Sequence, residues 1–435
     1  LKSFLVLVLL CYYSYKSKIE EVSKIGKRIL IILTIYHLAL ILIGFFLSPV
    51  EEIKAGLINI LRSPSILITD YIVIGGLGAT FVNSGLVGLS GVLVAYLSGA
   101  KISGLIIAGV FTMSGFAMFG KNIFNIWPLI GGVCLFSLFT KRPLKNYIAP
   151  CLFGTTLAPT VSQTAFGFEF GIIWGIVIGI IMGLLVSALA KHIYSLHMGF
   201  NLYNVGTTGG IVGTIYYIML KGFGFKISPA MHWSKEHTEI LFPILLVYFV
   251  SFIILGLFLG GNLTGLKKIL RESGRLITDF VETAGLGSAF VNMGILGLIG
   301  LAYVKFVGGD INGPVIAGIF TMIGFGSLGK HIKNVIPIML GVYLICIPKI
   351  WLHSDPGPIL AGLFGTTLAP FSGRFGPLIG LLAGALHLPM VMHVGEMHGY
   401  MNLYNNGFSG GLVAIIIVAL VRDLKPGLIE EEIRY

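Results

Sequence analysis

The chain of 435 residues is 56% hydrophobic and only 11% charged, with a mean hydropathy of +0.94. A soluble domain carries about 25% charged residues, so this composition excludes a water-covered globular fold and defines an integral membrane protein. The formal charge of +11 sits in short clusters between apolar runs, at 16–28, 141–145 and 267–275, as topology-setting loop charge does. That placement argues against a nucleic-acid partner and leaves the lipid bilayer as the surrounding one.

In chain order, residues 1–27 form an N-terminal segment whose start, "LKSFLVLVLLCYYSYK", is apolar but short for a span. It resembles the core of a signal sequence without a small-residue cleavage site, and reads as a partial or trimmed first helix. A first membrane repeat follows at 28–225, with apolar segments near 29–47, 73–97, 103–119, 123–139, 168–190 and 202–220. Residues 226–237 form a polar connector. A second membrane repeat at 238–425 carries segments near 238–260, 284–306, 313–329, 333–349, 375–392 and 403–421, and 426–435 is a C-terminal tail. The four cysteines (Cys11, Cys134, Cys151, Cys346) show no CxxC pair or metal spacing, so they read as small buried apolar residues, with no metal or cofactor expected.

The repeat rests on identity. From Leu67 to Gly132, 31 of 66 positions match those 209 residues later, without a gap. "GTTLAP" occurs at 154–159 and again at 365–370, and "HMGFNLYNVGTTGG" (197–210) returns as "HGYMNLYNNGFSGG" (398–411). Matching loops differ in charge: "KRPLK" (141–145) faces "IPKIWLHSDP" (347–356), "KKILRESGR" (267–275) faces "VEEIKAGLINILR" (50–62), and Lys101 faces Asp310. Loops on opposite faces of a membrane differ in this way, which favours inverted repeats. Inversion requires an odd number of crossings per repeat, and six spans are clear. Either a further segment crosses or one of the six turns back, and "GTTLAP" is the natural candidate for both. The expected fold is therefore all-α, with two inverted repeats, broken or re-entrant helices and about 12–14 membrane segments.

Each "GTTLAP" places two hydroxyls between helix breakers. Broken backbone in a membrane survives only where protein or a water-filled cavity satisfies it, so Thr155, Thr156, Thr366 and Thr367 are candidate solute ligands at half-helix starts. A kink with back-bonded threonines is the plainer alternative. Asn83 and Asn292, mid-span in "FVN", read as solute ligands or as interhelical ties. In "IAGxFTMxGF", Thr112 and Thr321 are further candidate ligands, and Phe111 and Phe320 candidate constriction residues; core packing competes for the rings. Lys121 and Lys330 end short spans, where snorkelling to headgroups is the plainer account and a vestibule cation the other.

The "NLYN" loops place Asn201 and Asn402 as pathway candidates beside His197 and His398, with a loop cap as the alternative. Asp70 and Asp279, ending "LITD", read as N-caps. "HVGEMHGY" (393–400) makes Glu396 and His398 candidates for proton coupling, while its spacing is not that of a zinc site. No P-loop, dinucleotide fingerprint or nucleophile elbow occurs, so the chain reads as neither ATP-driven nor an enzyme.

With "GTTLAP", "NLYN" and the paired "FVN" blocks, the chain resembles a family of bacterial polytopic membrane proteins known only as a domain of unknown function. The resemblance covers nearly the whole chain, implies a multi-pass protein of the bacterial inner membrane, and hands over no substrate or site residue. The architecture is also loosely similar to urea channels and inverted-repeat secondary transporters, by analogy alone. The expected function is transport of a small polar or charged solute, by a transporter or channel, with a homo-oligomer compatible. A membrane-embedded enzyme on a lipid-type substrate and a structural membrane protein are the alternatives.

Overall fold

The computed structural model describes residues 22–348 and 351–424. The opening apolar stretch, most of the N-terminal segment and the 426–435 tail lie outside the described residues.

The first repeat opens with α1 (Lys24–Leu47), capped by Ser23, whose Oγ accepts from Gly26 N–H at 3.0 Å. The amphipathic α2 (Val50–Arg62) buries Ile53, Gly56 and Ile60 and turns Glu51, Glu52 and Lys54 outward, as a surface helix does. α3 (Tyr71–Ser98) starts on Asp70, whose Oδ1 accepts from Ile72 N–H at 3.0 Å. It breaks at Gly76, where φ is +79°; the matching break in the second repeat is Gly285, at φ +85°. Only glycine takes that conformation cheaply. α3 runs antiparallel to α1, with Gly78 against Gly44, Gly85 and Gly88 against His37, and Ile102 beyond its end against Gly26.

Next come α4 (Gly104–Phe116), α5 (Ile126–Phe139), α6 (Ile148–Phe153) and α7 (Ala158–Ser162), the last two joined by a 3₁₀ turn over Gly154–Leu157. The contacts fix their directions. Gly109 of α4 packs on Leu152 of α6, and beyond α4 Asn125 Nδ2 donates to Ser162 Oγ at 3.0 Å, so α4 and α6–α7 run parallel. Thr140 beyond α5 meets Tyr147 before α6 at 3.0 Å, so α5 returns antiparallel to both. α4 and α5 are thus the arms of one hairpin. α8 (Ile172–His197) then runs back along α6–α7, with Val186 beside Gly154 and Gly175 beside Ala165, and α9 (Asn204–Gly222) completes the repeat.

The second repeat has the same order: α10 (Thr238–Phe258), α11 (Leu263–Ile269), α12 (Phe280–Ala284), α13 (Leu286–Phe306), α14 (Gly313–Phe325), α15 (Ile332–Ile345), α16 (Pro356–Phe364), α17 (Ala369–Phe375), α18 (Pro377–Val394) and α19 (Asn405–Leu424). Each repeat therefore makes five passes across the bundle and one hairpin. Segments 103–119 and 123–139, expected as two spans, are instead arms of a turn-back, and so are 313–329 and 333–349. The "GTTLAP" segment makes a full pass. Both outcomes follow from one cause: α4 and α14, at 13 residues each, reach about 20 Å and stop short of a bilayer's hydrocarbon depth.

The repeats face each other antiparallel. The start of α4 lies at the start of α12 and the end of α14: Gly104 N–H donates to Asp279 Oδ2 at 2.9 Å, Ser327 Oγ donates to Gly104 O at 2.9 Å, and Lys101 pairs with Glu282 at 2.7 Å. The Glu282 carboxylate holds the Lys101 ammonium above its ordinary range. Conversely, the start of α14 lies against Asp70 and Met118. α4 and α14 cross where Gly115 meets Ala317 and Gly324 meets Ala108.

Among the described residues, seven helices are long and apolar enough to cross a membrane. Their outer faces expose large apolar side chains, Phe46 at 86% and Ile173 at 77% among them, a surface tolerated by lipid and not by water. The hairpins and α3 and α13 fill the centre.

A Cβ at Gly115 would sit 3.0 Å from Phe320 Cβ and 3.1 Å from Ala317 Cα and O. Gly115→Val should therefore lower the thermal unfolding midpoint in detergent, by an overpacking cost of about 1–3 kcal/mol. Gly222→Val, where nothing lies within 4 Å, should change stability by no more than about 0.5 kcal/mol.

Candidate functional site

A cavity of about 170 Å³ sits where the two repeats meet. Three matched pairs line its deep end: Thr112 with Thr321, Phe116 with Phe325, and Tyr203 with Tyr404. The rest of its wall, Leu105, Ala149, Phe153, Tyr194, Leu202, Asn204 to Gly206, Leu276, Ile277 and Leu328, has no matched residue from the other repeat in the lining. Ile277 is 78% exposed and marks the mouth.

The matching loop on the other side, Leu67–Asp70, is covered. The connector lies along it: Ile68 N–H donates to Ala230 O (2.7 Å), Ala230 N–H to Leu67 O (3.0 Å), His232 N–H to Ile68 O (3.0 Å), and Ser234 N–H to Asp70 Oδ2 (3.0 Å). Leu67 is buried there, as are Met118 and Phe119 of the adjoining hairpin turn.

The hairpin turns leave helix-end carbonyls deep in the protein, and one asparagine closes each. Asn83 Nδ2 donates to Ala117 O (2.7 Å) and Lys121 O (2.9 Å); Asn292 Nδ2 donates to Gly326 O (2.7 Å) and Lys330 O (2.8 Å). Both are buried ties between helices and neither lines the cavity.

The "GTTLAP" threonines clasp the opposite repeat. Thr156 Oγ1 donates to Asn402 Oδ1 (2.7 Å) and accepts from Tyr404 N–H (2.9 Å), while Leu403 N–H donates to Thr156 O (3.0 Å). Thr367 Oγ1 donates to Asn201 Oδ1 (2.5 Å) and accepts from Tyr203 N–H (2.9 Å). Thr155 and Thr366 donate within their own segments, to Leu152 O (2.7 Å) and Leu363 O (2.5 Å). Asn201 and Asn402 are spent holding the crossing of α9 and α19, through Gly407 O (3.0 Å) and Gly206 O (3.1 Å). None of these six side chains lines the cavity. Each "GTTLAP" grips the other half's "NLYN" loop.

Thr112 and Thr321 line the cavity while back-bonding to Ala108 O (2.6 Å) and Ala317 O (2.8 Å). Phe111 and Phe320 point away from it, into an aromatic cluster: their rings lie 6.1 Å apart, Phe111 5.2 Å from His37 and Phe320 5.5 Å from Tyr248. Glu396 and His398 part company. Glu396 is exposed, whereas buried His398 accepts from Asn402 N–H on Nδ1 (3.2 Å), leaving Nε2–H to donate to Asn405 Oδ1 (2.9 Å). Among the described residues no group of His, Cys, Asp and Glu is placed to hold a metal ion.

The snorkelling account of the lysines fails. Lys121 and Lys330 are both fully buried, because the "span end" after each "GFxxxG" is a hairpin turn inside the protein. Lys121 Nζ donates to Tyr404 Oη, and Lys330 Nζ to Tyr203 Oη and to Thr366 Oγ1 (2.7 Å). Tyr203 and Tyr404, missed as cavity residues, carried a readable signal: a matched Lys and a matched Tyr in each repeat.

Fold and site together define a polytopic α-helical membrane protein of two repeats. The chain belongs to the DUF1576 family of proteins of unknown function, whose profile matches residues 49–222 and 260–423. No curated protein and no solved structure matches it.

Thr156→Val orphans the buried Tyr404 N–H and Asn402 Oδ1, each costing about 1–3 kcal/mol, and should clearly lower the melting temperature in detergent. Thr155→Val removes one back-bond to Leu152 O and should cost less than half as much in the same assay.

Proposed function

We propose that this protein is a secondary transporter moving a small solute across the bacterial inner membrane by alternating access between inverted repeats, and that it carries no catalytic chemistry. The observation that carries the reading is the one-sided cavity. It sits on the interface of two antiparallel halves, opens past Ile277 and Tyr194, and meets a closed, connector-covered counterpart on the other side. Two halves of like sequence in unlike states are what a rocking or gating mechanism produces; a channel would need continuity past the deep pairs.

The charge distribution supports the orientation. The face with the cavity mouth carries Lys24, Lys27, Arg28, Lys101, Lys141, Arg142, Lys145, Lys191, Lys267, Lys268, Arg271, Arg275, Arg374 and Arg422 beside Glu272, Glu282 and Asp423. The opposite face carries Glu51, Glu52, Glu169, Glu236, Glu239, Asp310, Asp355 and Glu396 beside Lys54, Arg62, Lys221, Lys226, Lys235 and Lys305. By the positive-inside rule the basic face is cytoplasmic. The cavity then faces the cytoplasm, and five passes per repeat put the second repeat in the membrane upside down relative to the first.

Two measurements check this reading. With the native cysteines replaced, Lys145→Cys and Leu352→Cys should label from opposite faces of sealed vesicles; same-face labelling contradicts inversion. Thr69 and His232 pair as neighbouring bridge residues, a separation a disulfide spans. Oxidising Thr69→Cys/His232→Cys should stop solute flux into proteoliposomes, and reductant should restore it. Unchanged flux through the cross-linked protein contradicts alternating access.

A further inference from the structure

Two lysine side chains lie inside this membrane protein without an acid beside them. Among the described residues no Asp or Glu lies within 4.0 Å of Lys121 or Lys330 Nζ. Each Nζ instead lies over aromatic faces, 4.5 Å from its tyrosine's centroid and 5.4 Å from Phe116 or Phe325. Those contacts and one or two hydroxyls solvate a charge only partly, and an unpaired charge in hydrocarbon surroundings is costly enough to mark function.

Both lysines lead to one place. An ammonium has donors and no acceptor, so the Tyr203 and Tyr404 oxygens accept from the lysines, with the Thr366 and Thr155 hydroxyls beside the two phenols. Both tyrosines line the cavity, and so do Thr112 and Thr321 and the first residues of α9, Asn204 to Gly206. The Thr112 and Thr321 hydroxyls donate to their own helices, so the deep end presents the two phenols, backed by the two lysines and a helix N-terminus, a combination that favours negative charge. The outer wall is of the opposite character: Leu105, Phe153, Leu202, Leu276 and Leu328 make it apolar. At about 30 Å³ per water, a cavity of about 170 Å³ takes a solute the size of five or six waters.

We propose that the cavity binds a small organic anion with an apolar body, a monocarboxylate in type. Its charged group lies at the Tyr203 and Tyr404 hydroxyls and supplies the counter-charge that Lys121 and Lys330 lack within the protein. The proposal rests on the transport reading for its purpose and on the cavity alone for its chemistry. Two matched lysines, one from each repeat, keep the site positive whichever face it opens to.

The test uses the full chain purified in detergent. Thermal unfolding is followed against sodium salts of acetate, butyrate, hexanoate and benzoate, against the matching butyramide and benzamide, against butylammonium, and against chloride. Saturable stabilisation is expected from the carboxylates, increasing with the apolar body up to the cavity's size, and absent for the amides, the ammonium and chloride. Lys330→Met should weaken carboxylate binding at least tenfold without lowering the ligand-free midpoint, since a burden of buried charge is removed. Tyr203→Phe and Tyr404→Phe, nearly isosteric, should weaken binding several-fold and serve if the lysine variant does not fold. Amides stabilising as well as carboxylates, no response to any carboxylate, or undiminished binding in Tyr203→Phe/Tyr404→Phe overturns the proposal. Flux in proteoliposomes separates the two readings. A carboxylate that binds but is not moved sinks transport and leaves the anion site standing. Movement of an uncharged solute with no carboxylate binding sinks the anion site and leaves transport standing.

Discussion

Backbone polar groups that leave a helix inside an apolar bundle find no water, and each must be met by the protein. Every break in this chain is built on that constraint. The hairpin turns after α4 and α14 are closed by Asn83 and Asn292, the approaches to α9 and α19 by Thr367 and Thr156 of the opposite repeat. Because the "GTTLAP" clasps run between the halves, the repeats cannot separate without uncovering buried donors and acceptors. Both clasps sit where α9 crosses α19.

Much of this was legible in sequence. Thirty-one identities over 66 positions established the repeat, which the two matched family regions bear out. Asp70 and Asp279 do cap their helices, though each also holds the opposite half, Asp279 through Gly104. The hairpins were not legible, because a 13-residue apolar arm followed by a turn resembles a short span followed by a loop. The lysines were misread for the same reason: a charge beside a turn looks interfacial until the turn is seen to lie inside. Composition likewise cannot say which way a helix face points. Phe111 and Phe320, beside cavity-lining Thr112 and Thr321, turn the other way into the cluster with His37 and Tyr248.

The asymmetry between the two repeats has a local origin. Leu67–Asp70 and Leu276–Asp279 share "LITD", yet only the first is laced to the connector. The connector adds backbone hydrogen bonds on one face only. The cavity, floored by paired residues, is walled from the other face.

The central claim is that the two faces open in alternation. Spin-label pairs at Asn146 and Ile277 across the basic face, and at Ile68 and Leu352 across the other, measure it directly by pulsed dipolar spectroscopy in nanodiscs. The account predicts two populations on each face, with the distance on one shortening as that on the other lengthens. A single fixed distance on both faces, or two that widen together, would contradict it.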